Sequence, residues 1–218
     1  MSLQSISTKI KKYKHLAPVY RYVQRSLQWP QAQQLIYICE PHSSTQHPCA
    51  HNEQAALEPK MDCYGAYCHK PICQWIMCHG SHIPANAVPG GEDSGETIYI
   101  GRAVHDNDVI PGKVLPSHSC CYVSYAGAEH SHRDYQVLIS DGPPMAWVPD
   151  SDGSVPTGAI QGGTSGTGEP LYIGRTFHNG TLTIGKVHPS HHCLYIPYGG
   201  EEHRYSDYEV LVCKTINF

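Results

Sequence analysis

Glu96-Thr-Ile-Tyr-Ile-Gly-Arg-Ala-Val-His105 returns as Glu169-Pro-Leu-Tyr-Ile-Gly-Arg-Thr-Phe-His178, and Gly112-Lys-Val-Leu-Pro-Ser-His118 returns as Gly185-Lys-Val-His-Pro-Ser-His191. The offset is 73 residues in both, and it still holds where Asp134-Tyr-Gln-Val-Leu138 meets Asp207-Tyr-Glu-Val-Leu211. A block repeated at constant spacing is one folded unit used twice, so any site it carries is expected up to twice. Upstream the offset becomes 72, relating Trp75 to Trp147 and Gly90-Gly91 to Gly162-Gly163. The sequence thus divides into an extension, 1–71, a first repeat, 72–141, and a second repeat, 142–218.

Within each unit the pattern is that of strands and turns. Ile98-Tyr99-Ile100 and Leu171-Tyr172-Ile173 read as buried strands. Asn179-Gly180 carries the signature of a type I′ hairpin, with Asp106-Asn107 in its place in the first repeat. Each Gly-Gly pair reads as a turn needing positive φ or a close backbone approach. Only two Phe but fifteen Tyr, with twenty Gly and seventeen Pro in 218 residues, favour short strands over long helices. The expectation is an all-β protein in which each repeat is an antiparallel meander of four or five strands.

The net charge of −4 conceals an asymmetry. Residues 1–39 hold six cations and no acid, so the remainder carries −10 and is a poor surface for nucleic acid. No apolar run is long enough for a transmembrane helix, and the amino-terminal stretch lacks the apolar centre of a secretory signal. A cytoplasmic setting with reduced thiols is the default expectation, and vesicle association accompanies the second functional reading below. The basic, acid-free stretch from Ile6 to Leu27 reads as a poorly structured extension; its composition is also that of a mitochondrial transit peptide, the less favoured reading.

Six of the ten cysteines fall between Cys39 and Cys78. Cys63, Cys68, Cys73 and Cys78 are spaced by five, which departs from the close pairs of common zinc modules. They are weak candidates for a structural zinc, against the simpler reading of unrelated thiols. No nucleophile sits with a recognisable base, and neither a phosphate loop nor His-Glu-x-x-His occurs, so no enzymatic activity is expected.

The Tyr-Ile-Gly-Arg, Pro-Gly-Lys-Val-x-Pro-Ser-His and Tyr-x-Val-Leu segments, in tandem over Trp75 to Lys214, resemble the DM9-repeat family, whose repeats also occur in natterin-like proteins. The resemblance implies two antiparallel β-meander repeats related by a pseudo-twofold axis and binding of mannose-type glycans, including those of microbial surfaces in innate recognition. It also implies a sugar site made of an acid just after the Gly-Gly pair and the lysine of the Gly-Lys segment. In the first repeat these are Asp93 and Lys113, with Glu92 as an alternative acid; in the second the lysine is Lys186 but the acidic position holds Ser165. A carboxylate accepts from adjacent hydroxyls and an ammonium donates to their oxygens, so the pair suits a vicinal diol. Two sites, or a homodimer, strengthen such weak binding through effective concentration. The other function classes are a stress- or immune-response scaffold that binds a protein partner and a zinc-binding protein centred on Cys39–His82.

Overall fold

In a computed structural model of the chain, residues 36–38, 70–142 and 145–213 are described. They form strands β1 (Ile36–Ile38), β2 (Lys70–His79), β3 (Pro89–Asp93), β4 (Glu96–His105), β5 (Asp108–Leu115), β6 (Cys120–Tyr125), β7 (Ala128–His132) and β8 (Asp134–Ile139). The second repeat adds β9 (Met145–Ser151), β10 (Gln161–Thr164), β11 (Pro170–His178), β12 (Thr181–His188), β13 (Cys193–Tyr198), β14 (Glu201–Tyr205) and β15 (Asp207–Cys213). The protein is all-β. Among the described residues no helix is long and apolar enough to cross a membrane.

From β3 to β7 each strand pairs antiparallel with the next, the meander expected from the sequence. Two further strands extend each repeat beyond it, because β8 returns to pair with β4 and with β2. The hairpins turn as the sequence demanded: Asp106 and Asn107 have φ of 48° and 70°, Asn179 and Gly180 have 48° and 81°. The Pro-Ser-His segments form single 3₁₀ turns, each fixed by the acid that opens the preceding hairpin. Ser117 N donates to Glu96 Oε1 at 2.8 Å, and Ser190 N donates to Glu169 Oε1 at 2.8 Å.

The two repeats interlock. β3 pairs with β12 and β10 pairs with β5, so β3, β4, β5, β10, β11 and β12 close into a six-stranded ring with three strands from each repeat. A third junction joins β7 to β14 at Ala128 and Glu201, themselves 73 residues apart, which marks the pseudo-twofold axis. There Gly127 N donates to Glu202 Oε2 and Gly200 N to Glu129 Oε2, both at 2.8 Å. Burial follows this plan. One apolar cluster joins Ile98, Ile100 and Leu115 of the first repeat to Ile173, Ile184 and Leu211 of the second, while a smaller one lies within each repeat.

The Gly-Gly pairs are not turns. They lie at register shifts in β3 and β10 and owe their lack of side chains to close approach: a Cβ on Gly91 would stand 1.8 Å from Leu182 O, and one on Gly163 1.8 Å from Val109 O. Ring closure needs glycine at those two points.

The repeated arginines bridge the two halves of the ring. Arg102 Nε donates to Gln136 Oε1 at 2.7 Å and Nη1 to Gly162 O at 3.2 Å; Arg175 pairs with Glu209 at 2.6 Å and donates to Gly90 O at 3.2 Å. Each guanidinium also lies 4.2 Å above the tryptophan ring of its own repeat, Trp75 or Trp147. Each arginine therefore ties its repeat to the bulged Gly-Gly carbonyl of the other.

Candidate carbohydrate site

Lys113 on β5 and Lys186 on β12 are not surface lysines at turns: they are only 3% and 6% exposed. Their strands are covered on both faces, by the shared core and by the repeat's own core, so both stems are enclosed and the ammonium groups emerge at the seam between repeats. There each meets tyrosines from both halves. Lys113 Nζ is 5.6 Å from the Tyr122 ring and 4.8 Å from Tyr198; Lys186 Nζ is 5.3 Å from Tyr195 and 5.7 Å from Tyr125. Aromatic faces at this range attract a desolvated cation.

Each ammonium also has a carboxylate from its own repeat, and it is not the one chosen from sequence. Lys113 Nζ lies 3.5 Å from Glu129 Oε1 and Lys186 Nζ 3.1 Å from Glu202 Oε1, the latter a close ion pair without hydrogen-bond alignment. Lys186 additionally donates to Ser124 O of the first repeat at 2.6 Å. Burial lowers the Lys113 pKa, while Glu129 and, beyond it, Asp93 oppose the shift by their charge. Asp93 is thus placed within electrostatic reach of Lys113. Glu92 is exposed, opposite Leu182 at the β3–β12 junction.

Around Lys186 the seam opens into a cavity of about 600 Å³, which Ser165, Asp108, Glu202, Tyr125 and Tyr195 help to line. That volume falls within the range of small-molecule sites, about 300–1,000 Å³. Ser165 is engaged locally, its Oγ 2.9 Å from Thr167 Oγ1 and accepting from Glu169 N at 3.0 Å. A lysine beside a carboxylate and tyrosine rings can donate to, accept from and stack on a polyhydroxylated ring.

The repeated histidines brace the rims. His105 stacks on His130 with ring centroids 3.9 Å apart, and His178 on His203 at 4.4 Å. Burial first, and the facing imidazole second, lower the pKa of His105 and of His178; His132 and His188 are lowered chiefly by burial too. A histidine whose folded pKa is depressed contributes stability that is present above its ordinary pKa and lost as pH falls below it. The urea midpoint is accordingly expected to drop between about pH 7 and pH 5, and less steeply in a His105→Asn/His178→Asn variant. A midpoint level across that range would contradict the assignment.

Among the described residues no three His, Cys, Asp or Glu side chains cluster as metal ligands, and the two described thiols of the weak zinc candidates lie apart. Cys73 and Cys78 are five residues apart on β2, hence on opposite faces and roughly 17 Å apart along the strand. They are buried in different clusters, and burial raises both pKa values, that of Cys73 to about 11. Cys63 and Cys68 lie outside the described residues.

Glu129 and Glu202 escaped the sequence reading as site residues. The available signal was their recurrence at the same offset of 73, as in Glu129-His130 and Glu202-His203. What could not be seen was that a tyrosine of one repeat faces the lysine of the other.

Comparison with known proteins bears on this arrangement. The family described as DM9 repeat matches residues 92–205. Natterin-3 of Thalassophryne nattereri is 34% identical over 99 residues, covering 44% of this chain and 24% of that protein. Natterin-4 of the same organism is 28% identical over 145 residues, covering 65% and 34%. The chain therefore spans about a quarter to a third of the length of these relatives. The crystal structure of the nematode sperm cell motility protein MFP2B superposes with a TM-score of 0.51 at 13% identity, over 76% of this chain and 55% of that one, a likeness of fold.

Proposed function

Since the chain belongs to the DM9-repeat family, we propose that it is a non-enzymatic carbohydrate-binding protein whose ligands are mannose-type glycans, including those of microbial surfaces in innate recognition. The observation that carries this reading is the pair of seam lysines, each flanked by a carboxylate and by a tyrosine from either repeat. Of the three ammonium protons on Lys186, one is donated to Ser124 O while Glu202 pairs with the charge without a hydrogen bond, which leaves a donor for a ligand oxygen. Asp93 supports the same reading at the first site, where it adds an acceptor within the field of Lys113. Tyrosine edges and faces suit the less polar side of a pyranose.

Titration of the full chain with mannose, followed by NMR, tests it. Saturable shifts centred on Tyr122, Tyr198 and Asp93 are expected, and Asp93→Asn should weaken that site about tenfold or more, the cost of a lost charged hydrogen bond. A folded protein whose spectrum does not respond to mannose would sink the proposal.

A further inference from the structure

The two lysine sites differ at their acidic corner in a way that conceals an equivalence. In the first, Glu92 is paired with Leu182, and one step along that antiparallel register Asp93 stands beside Thr181. In the second, Thr164 is paired with Val109, and the same step brings Ser165 beside Asp108. The carboxylate and the hydroxyl have exchanged strands. Directly opposed residues of an antiparallel pair project from the same face, so a carboxylate reaches the same corner from either strand. Asp108 and Ser165 do line the one cavity with Lys186.

The local hydrogen bonding fits a transferred role. Ser165 Oγ is spent on its own turn, against Thr167 and Glu169 N. Asp108 receives a hydrogen bond from Gly166 N to Oδ1 at 2.6 Å, which orients the carboxylate and leaves Oδ2 able to accept from a ligand. Tyr125, whose hydroxyl donates to Asp106 Oδ2 at 3.0 Å, completes the first repeat's share of the wall.

We propose that Asp108 of the first repeat supplies the carboxylate of the second site, which thereby binds the same class of ligand as the first, a pyranose with adjacent hydroxyls. This rests on the carbohydrate-binding reading. The absence of an acid at Ser165 then marks no loss: the second site is a composite of both repeats.

The test follows mannose binding to the full chain by NMR, with Tyr122 and Tyr198 reporting the first site and Tyr125 and Tyr195 the second. Asp108→Asn is expected to weaken the second site about tenfold or more while leaving the first intact, and Asp93→Asn to do the reverse. The double variant Asp108→Thr/Ser165→Asp, which copies the first site's arrangement into the second, should restore binding there. It also decides the matter if Asp108→Asn fails to fold. Second-site binding unchanged in Asp108→Asn, or absent from the folded double variant, overturns this inference but not the function proposed above. A parent protein that ignores mannose at both pairs of reporters overturns both.

Discussion

Gly163→Ala is expected to destabilise the protein by about 3 kcal/mol or more, at the upper end of what overpacking costs. The added methyl would stand 1.8 Å from the carbonyl oxygen of Val109, a backbone atom held in the junction of β5 with β10. No rotamer can relieve it, so that junction must open or the strands must part. Gly168→Ala is the control. Its φ of +91° is strained for alanine but its Cβ meets nothing within 4 Å, and a cost of about 1–2 kcal/mol is expected. Urea unfolding of the two variants makes the comparison, and equal losses would show that the seam yields where the ring is held to be tight.

Glu129→Leu is the second large effect, about 3–5 kcal/mol, because it strands the Lys113 ammonium in a site that is nearly closed to water. Lys113→Met/Glu129→Leu should recover most of that loss, since a buried pair replaced by apolar groups leaves no orphan charge. The pH dependence has a definite sign. Burial places the folded pKa of Lys113 below the ordinary lysine value of 10.5, so in the alkaline window beneath that value the unfolded chain holds more protons and stability from this group rises with pH. The penalty of Glu129→Leu should therefore shrink as pH climbs toward 10.5, as the stranded lysine sheds its proton. A penalty that is small at neutral pH, or one the double variant does not relieve, would show that Glu129 does not hold the lysine.

The sequence disclosed what is local and repeated. The strands around Ile98–Ile100 and Leu171–Ile173, the Asn179-Gly180 hairpin and the all-β class followed from alternation and turn chemistry, which act over a few residues. Lys113 and Lys186 were legible as a recurring pair, with Asp93 placed by resemblance. What remained hidden depends on how one repeat docks on the other. Arg102 finds Gly162 and Lys186 finds Ser124 across more than fifty intervening residues, and no periodicity within either repeat encodes a partner in the other. The Gly-Gly pairs show the same limit, for the sequence says that a side chain is excluded there, not which strand excludes it. Asp108 was passed over for a related reason: aligning the repeats residue by residue finds a missing acid at Ser165, while the acid sits across the junction.

The exchange of β3 and β10 between the halves also sets an order of events in time. A chain leaving the ribosome presents the whole first repeat before any of β10, β11 or β12 has been made, and at about 5–20 residues per second the missing strands arrive only after several seconds. For that interval the edges of β3 and β5 that later meet β12 and β10 are open, and unpaired edges recruit other chains. The nascent protein must spend those seconds with an unfinished barrel, shielded or sparse enough that its own second half, rather than a neighbouring copy's, closes it.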